Sequence, residues 1–460
     1  MKTDTIAAIA TAMSDSGIGI VRISGEEAFA VADRMFFSGV NRSEKKISDM
    51  KSHTVHYGYI TDNGEVIDEV LLLVMKAPRT YTREDVVEID CHGGVLVMKR
   101  ILEAAFHCGA RPAEPGEFTK RAFLNGRIDL SQAESVIDVI NSKSDLALKS
   151  SVSQLRGAVS AKVRKIRDDL LYETAYIESA LDDPEHYSLD GYYEKLQGKV
   201  NDICESVHRL ILSSENGKMI KEGIRTVIVG KPNVGKSSLM NLLVGEDRAI
   251  VTEIPGTTRD ILEEQIQIGG VGLRIIDTAG IRDTEDVVEK IGVSRSKEFL
   301  ETADLVIYVM DSSVAIDEND RKIMEAVKGK RTIILLNKAD LDPQICEEDV
   351  RRYLDDPILS VSAKKGSGIE QLEQMIQDMF FDGKISFNDE VFISNERQKH
   401  ALAEAEKSLQ LVLQSMKDGM PEDFLTIDMM SAYEELGKVI GESVGEDLID
   451  EIFSEFCMGK

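Results

Sequence analysis

The segment that most restricts the fold of this chain is the run Gly230–Ser237, which has the pattern G-x-x-x-x-G-K-S. The β-branched run Thr226–Val229 precedes it, and Ser238–Leu243 has the composition of a helix start. A strand, a glycine-rich loop and a helix form the context in which this pattern binds phosphates. Backbone N–H groups and the helix N-terminus then surround the anion. The run therefore predicts a nucleotide-binding α/β domain.

Individual residues of this run have separate predicted roles. Lys236 is expected to neutralise the β- and γ-phosphate oxygens, and the Ser237 hydroxyl is expected to bind Mg²⁺. The other positions expected to contact the nucleotide here are Asn233, Val234, Gly235 and Ser238.

Three further motifs follow in a fixed order. Asp277-Thr278-Ala279-Gly280 ends an apolar run as D-x-x-G, with a carboxylate for Mg²⁺ through a water and a glycine N–H for the γ-phosphate. Asn337–Asp340 has the pattern N-K-x-D, and the Asp340 carboxylate can accept hydrogen bonds from guanine N1 and N2, a pair that adenine lacks. Ser360–Lys364 is expected to read guanine O6 through a backbone N–H. Together the motifs predict a guanine-nucleotide site rather than a structural glycine turn. Its contacts in these two loops are expected from Asn337, Lys338, Asp340, Ser362, Ala363 and Lys364.

The residue that would orient the attacking water is not obvious. Ras-like GTPases carry a Gln directly after D-x-x-G, but this chain has Ile281, which has no polar group. Hydrolysis is therefore either negligible or assisted by another group. The candidates in the following loop are Arg282, Asp283, Glu285, Asp286 and Glu289. The residue types do not choose among them, and a solvated acidic loop fits most of them.

The charge balance limits the class of partner. Asp and Glu number 82 against 55 Lys and Arg, which excludes a wholly basic RNA-coating surface. RNA contact would need a partner or a local patch, and the basic cluster Lys162–Arg167 is either such a patch or a solvated helix face. The five cysteines lack C-x-x-C spacing, which favours a reducing cytoplasm. Neither a signal peptide nor a membrane span is expected.

The 460 residues predict about three domains, so the fold class is multidomain, α/β plus α. Alternating short apolar runs predict an α+β domain over 1–118, and helical spacing predicts helices over 119–216, broken at Asp182-Asp183-Pro184. The nucleotide domain is expected over 217–382. Helices are expected again over 383–460, mainly at 395–418 and 424–457. The nucleotide domain is thus either an insertion in one helical bundle or a domain between two independent small bundles.

Several longer motifs carry a resemblance to a known family. They are Pro255–Asp260 (PGTTRD), the terminal Phe456–Lys460 (F-C-x-G-K), Gly19–Gly25, Tyr81–Glu88, Cys91–Gly94 and Pro115–Gly126. In these motifs the chain resembles the tRNA-modification GTPase family MnmE, also called TrmE, over essentially its whole length. The resemblance implies an N-terminal tetrahydrofolate-binding and dimerisation domain, a helical domain and an inserted Ras-like G domain.

The resemblance also implies a folate site. The matching positions are Arg22, Glu88, Arg127 and Lys460. Arg127 stands where some members have Lys, which keeps the charge and alters the donor geometry. The implied one-carbon donor is 5,10-methylenetetrahydrofolate or an analogue. A carboxylate such as Glu88 suits the pterin, and Arg or Lys suits the glutamate tail.

Potassium is the family's substitute for the missing glutamine. The resemblance assigns K⁺ ligation to Asn233, Thr252, Ile254 and Thr257, so that the cation stabilises transition-state charge as an arginine finger does. Thr258 would be a second Mg²⁺ ligand, and Glu289 would position the water with Lys236 and Arg282 completing the catalytic set. The same loop contributes further GTP contacts at Glu253, Pro255 and Gly256.

The activity implied is GTP hydrolysis coupled to addition of a carboxymethylaminomethyl or aminomethyl group at C5 of the wobble uridine of certain tRNAs. A homodimer would act with the FAD- and NADH-dependent partner MnmG in a heterotetramer. The tRNAs, the amine donor (ammonium or glycine) and the size of the G-domain motion stay open. Cys457 is either a chemical group or a packed hydrophobe beside Phe453 and Phe456. The alternative is an RNA-binding ribosome-assembly GTPase, which would end in a basic KH-type module, whereas this chain ends in acidic helical sequence.

Overall fold

The computed structural model describes residues 4–38, 46–189, 191–245, 264–276, 299–381, 392–442, 444–454, 456 and 459. The chain divides into two compact units. One consists of Met1–Ile137 and Leu436–Lys460, and the other is Asp138–Glu435. Across these described ranges, no helix combines the length and the apolar composition that a membrane span requires.

The first unit contains a seven-stranded sheet in the order β3-β4-β5-β6-β2-β1-β7. Its pairs are antiparallel except β1 with β7. In β5, buried Val70, Leu72 and Val74 are separated by more exposed residues, the period of two expected of a sheet with one covered face. The elements up to the unit boundary are β1 (Ile6–Ile9), β2 (Ser16–Ser24), α1 (Ala28–Met35), β3 (Phe36–Phe37), a 3₁₀-helix (Ile47–Asp49), β4 (Thr54–Asp62), β5 (Glu65–Met75), β6 (Val86–Gly93), α2 (Val95–His107), β7 (Arg111–Pro112), α3 (Glu117–Leu124) and α4 (Leu130–Asn141), which crosses it.

Long helices begin the second unit, as the three- and four-residue spacing predicts. They are α5 (Asp145–Leu155), α6 (Ala158–Asp182) and α7 (Tyr192–Glu222). The Ser144 hydroxyl caps α5 by accepting a hydrogen bond from the backbone N–H of Ala147 at 3.2 Å. Helix α6 ends at Asp182, at the expected break before Pro184.

The nucleotide segment forms a six-stranded sheet in the order β13-β12-β11-β8-β10-β9. All neighbours are parallel except β9 and β10. Strand β12 is buried along its whole length, because helices cover both faces of a parallel sheet. This is the expected Ras-like arrangement. Its elements are β8 (Ile224–Val229), α8 (Lys236–Val244), β9 (Glu264–Ile268), β10 (Val271–Ile275), β11 (Leu305–Asp311), α9 (Glu318–Val327), β12 (Thr332–Asn337), α10 (Glu347–Arg351), β13 (Ile358–Ser360) and α11 (Ile369–Phe381).

Three helices follow: α12 (Glu396–Lys417), α13 (Glu422–Ile440) and α14 (Glu446–Ser454). Helix α12 packs on α7, where His208 Nδ1 lies 2.8 Å from Glu406 Oε1. Helices from both sides of the nucleotide segment therefore pack together, as an insertion requires. The helical stretch expected over 424–457 is two helices rather than one. The chain turns at Gly441, whose φ of +87° disfavours any residue with a side chain.

Candidate functional site

The phosphate loop joins the carboxyl end of β8 to the start of α8. Gly235 directly precedes α8 with φ of +101°, and a Cβ there would lie 2.2 Å from Asn337 Nδ2. Only glycine fits this close approach. Asn233 also has positive φ, +62°, a conformation that asparagine tolerates better than most residues. The two residues shape the concave loop that the sequence pattern predicts.

Lys236 is the buried cation of this loop. Its Nζ donates hydrogen bonds to the backbone carbonyls of Gly230 and Lys231, both at 2.8 Å. Burial lowers the pKa of Lys236 to about 8, because the surroundings penalise the charged form. An ammonium group has three donors, so one remains beyond the two carbonyls for a phosphate oxygen.

Asn337 joins the phosphate loop to the base-reading loops. Its side chain is buried, with Nδ2 donating to Val234 O at 2.7 Å and Oδ1 accepting from Ala363 N at 2.9 Å. Because both hydrogen bonds come from one side-chain amide, a single residue aligns N-K-x-D with both neighbouring loops. Three of the predicted motifs thus meet at the carboxyl edge of the sheet, where open α/β sheets bind ligands.

The Asp340 carboxylate is positioned to accept hydrogen bonds from a base. The Ser362 hydroxyl donates to its Oδ1 at 2.7 Å and holds the pKa of Asp340 below its usual range, so the carboxyl group is ionised. Its other oxygen remains for the N–H groups of a purine. This geometry fits guanine, which presents adjacent N1–H and N2–H₂ donors.

Lys338 is oriented by a residue that sequence reasoning missed. Its Nζ lies 2.5 Å from Asp311 Oδ2, and its backbone φ is +63°. Burial raises the pKa of Asp311, but hydrogen bonds from Lys338 and Ser313 outweigh it, and the pKa is lowered. Asp311 is aligned with Asn337 in the register of β11 and β12. A polar residue ending the apolar run Leu305–Met310 is the signal that could have identified it.

A second cluster lies in the first unit. Arg22 on β2 and Glu88 on β6 are register partners, and Arg22 Nε lies 2.6 Å from Glu88 Oε1. Arg22 also donates to the carbonyl of Gly459 at 3.2 Å. The Arg127 guanidinium lies over the ring of Tyr81, 4.6 Å from its centroid. Three of the predicted folate positions are therefore brought together around Tyr81, to which the motif Tyr81–Glu88 assigns no role of its own.

The remaining predicted site residues lie outside the described residues. They are Thr252, Glu253, Ile254, Pro255, Gly256, Thr257, Thr258, Asp277, Thr278, Ala279, Gly280, Arg282, Glu289 and Lys460. The predicted nucleotide positions that the structure does describe are Asn233, Val234, Gly235, Lys236, Ser237, Ser238, Asn337, Lys338, Asp340, Ser362, Ala363 and Lys364.

A phosphate loop bonded to a loop with guanine-reading geometry defines the class of protein: a P-loop, guanine-nucleotide-binding protein. Two family models match the chain. One is described as GTP-binding protein TrmE N-terminus and matches residues 5–127. The other is described as MnmE helical domain and matches residues 130–457. The chain belongs to the MnmE family.

Relatives that match this chain over its whole length support the family assignment. The chain is 58% identical over 460 residues to the tRNA modification GTPase MnmE of Lachnoclostridium phytofermentans, covering 100% of both chains. It is 49% identical to the protein of that name from Clostridioides difficile, covering 99% of each. The Bacillus subtilis protein is 47% identical, with 99% of this chain and 100% of the relative covered.

The solved structures that resemble this protein match only part of its chain. The G domain of the T. maritima FeoB iron transporter is 27% identical with a TM-score of 0.26, covering 34% of this chain and 98% of that chain. Aquifex aeolicus Era bound to GDP and AlF4⁻ is 28% identical with a TM-score of 0.28, covering 41% of this chain and 67% of that chain. With TM-scores this low, the family assignment rests on the sequence relatives and the family models.

Proposed function

We propose that this protein is a GTPase that acts in tRNA modification, the activity for which its relatives are named. The observation that carries the proposal is the double hydrogen bonding of Asn337, which aligns the phosphate loop with the loops that read guanine. Asp340, ionised and held by Ser362, supports GTP over ATP as the substrate.

The residues of the phosphate loop fit the triphosphate and its Mg²⁺. The unused donor of Lys236 suits a phosphate oxygen, and Ser237 at the start of α8 offers a hydroxyl with the helix N-terminus behind it. Mg²⁺ would neutralise part of the charge of the phosphates. Ser237 and Thr258 would hold it.

Hydrolysis is proposed to depend on K⁺ and on Glu289. Ile281 offers no polar group to orient water, so another residue must do so. Asn233, in the phosphate loop, would contribute a side-chain oxygen to K⁺ together with Thr252, Ile254 and Thr257. Glu289 would position the water, and Arg282 would complete the catalytic set.

The first-unit cluster supports a bound tetrahydrofolate as the one-carbon donor. Glu88 accepts from Arg22 through one oxygen, which leaves the other for pterin N–H donors. Arg127 is exposed and has no carboxylate partner among the described residues, so it can pair with an anionic glutamate tail. Tyr81 adds an aromatic surface between the two arginines. Lys460 would be the fourth contact.

The proposed reaction adds a carboxymethylaminomethyl or aminomethyl group to C5 of the wobble uridine. Bound folate would supply the one-carbon unit, and the FAD- and NADH-dependent partner MnmG would supply the redox chemistry in a heterotetramer that contains a homodimer of this chain. The proposed compartment is the reducing cytoplasm, on the basis of five cysteines that lack C-x-x-C spacing.

The first experiment measures GTP hydrolysis in K⁺ and in Na⁺ at equal ionic strength. The rate should rise many-fold in K⁺, and Asn233→Ala should abolish the rise while leaving nucleotide affinity largely intact. Glu289→Ala should lower kcat in K⁺ by about 10²–10⁴ with little effect on GTP binding, the range for a positioned acid or base. Equal rates in the two salts would exclude K⁺ activation.

The second experiment measures modified nucleosides in tRNA from a deletion strain by mass spectrometry. Loss of the C5-modified wobble uridine, restored by the wild-type gene but not by Glu88→Ala, supports the full proposal. Unchanged tRNA together with accumulated ribosomal precursors would favour a ribosome-assembly GTPase instead.

A further inference from the structure

The phosphate loop is tied to α9 by a side chain that the nucleotide site does not require for any direct contact. Lys231 Nζ lies 2.6 Å from Asp320 Oδ2 and 2.9 Å from Asp317 Oδ2. The side chains of Lys231 and Asp320 are 15% and 3% exposed, so this pair is shielded from water. Most exposed ion pairs contribute little to stability because solvent screens them. The Lys231–Asp320 pair is largely buried, so screening is weaker here.

Both aspartates are themselves held rigidly at the start of α9. Asp317 caps the helix, with Oδ1 accepting from the backbone N–H groups of Asn319 at 2.8 Å and Asp320 at 3.0 Å. Asp320 returns the bond by accepting from Asp317 N at 3.0 Å, and the buried Tyr308 hydroxyl donates to its Oδ1 at 3.2 Å. Hydrogen bonds therefore hold both carboxylates at the start of α9, with Asp320 buried and Asp317 51% exposed.

The backbone of Lys231 connects this anchor to the phosphate-binding lysine. Its carbonyl accepts one of the two hydrogen bonds that Lys236 Nζ donates. One residue thus joins α9 through its side chain and Lys236 through its main chain.

The second half of the loop is anchored on the opposite side. Val234 accepts from Asn337 on β12, as described above. The loop is therefore fastened at both ends, by α9 at Lys231 and by the base-reading loop at Asn337. Loss of either fastening leaves the residues between them free to widen around the phosphates.

We propose that Lys231 is a positioning residue that, through Asp317 and Asp320, holds the phosphate loop closed and so sets how long a guanine nucleotide stays bound. The inference rests on the proposed nucleotide binding and concerns a residue with no role assigned there. Lys231 affects how tightly the loop binds the nucleotide before hydrolysis. It does not act on the hydrolysis step, because its ammonium is directed to α9.

The test compares dissociation of fluorescent GDP from the full-length wild type and from Lys231→Met, a neutral side chain of similar length. The dissociation rate should rise about tenfold, the lower range for a hydrogen bond to a charged group. KM for GTP should rise in proportion, while kcat at saturating GTP in K⁺ should stay within about twofold. Lys231→Arg keeps the charge and can reach either carboxylate, so it should restore slow dissociation.

Two controls separate positioning from charge and from stability. Lys322→Met removes the same charge from the exposed Lys322–Glu318 pair of α9 and should leave dissociation unchanged. An Asp317→Asn/Asp320→Asn background keeps one oxygen on each side chain for the helix cap but removes both negative charges that face Lys231, so Lys231→Met should have a smaller effect there than in the wild type.

Three results would overturn the inference: wild-type dissociation from Lys231→Met, an effect of equal size in the double-asparagine background, or a kcat that falls as far as affinity does. A wild-type protein that binds no guanine nucleotide would refute the proposed function, and this inference with it. Normal wild-type binding with an unaffected Lys231→Met refutes the inference alone.

Discussion

Asn337→Ala is the substitution from which we expect the largest effect on the nucleotide site. Asn337 is 2% exposed, and its amide satisfies Val234 O and Ala363 N at 2.7 and 2.9 Å. Alanine would leave both backbone groups unpaired in a buried place. Each such group costs about 1–3 kcal/mol, so the two together cost about 2–6 kcal/mol.

That cost falls on two loops that must be aligned before a nucleotide can contact both. Even about 1.4 kcal/mol of it expressed in binding would weaken affinity tenfold. GTP and GDP should be affected alike, because the amide touches the loops and not the γ-phosphate. Asn337→Asp keeps the acceptor for Ala363 and places a carboxylate oxygen against Val234 O, so it should be at least as harmful as alanine.

The assay is calorimetric titration of GDP and of a non-hydrolysable GTP analogue, with hydrogen exchange of the phosphate-loop and Ser362-loop amides. Asn201→Ala, an exposed asparagine on α7, is the matched control and should behave as wild type. Affinities for Asn337→Ala within twofold of wild type, with unchanged amide protection in both loops, would refute the proposed bridging role.

Three other predictions use the charges of the described residues. Burial lowers the pKa of Lys236 to about 8, and a bound phosphate favours its protonated form. GTP affinity should therefore be constant below about pH 7 and fall as the pH rises above 8. Calorimetry in buffers of different ionisation heat should show proton uptake on binding. Asp340→Asn should lower GTP affinity at least about tenfold and shift preference towards xanthosine triphosphate, and unchanged GTP affinity would exclude Asp340 as the base reader. Burial would raise the pKa of Glu117, but hydrogen bonds from Arg111, the Glu114 N–H and Arg121 lower this pKa from 4.5 to about 2. The ionised carboxylate therefore contributes about 3 kcal/mol to the free energy of unfolding above pH 4.5, and this contribution is lost as the pH falls towards 2. Urea unfolding should show this loss, and Glu117→Gln should flatten it.

Local sequence was sufficient for the elements whose geometry depends on neighbouring residues. The phosphate loop was predictable because positive φ at Gly235 and the strand–loop–helix context are properties of a short stretch. Long helices were predictable from apolar spacing, and so was their break before Pro184. The turn at Gly441 was missed, because one glycine inside a helical pattern does not distinguish a tolerated residue from a break.

What the sequence by itself determined is the chemistry available to this protein: a phosphate loop, a guanine-reading loop and the family to which both belong. Tertiary structure alone decided how those groups are held. Arg22 meets Glu88 because of strand register, Arg127 lies over the ring of Tyr81, and Lys231 contacts Asp320, which is 89 residues away in the sequence. No local pattern encodes such pairs, because each depends on where two separate elements are placed by the burial of other residues.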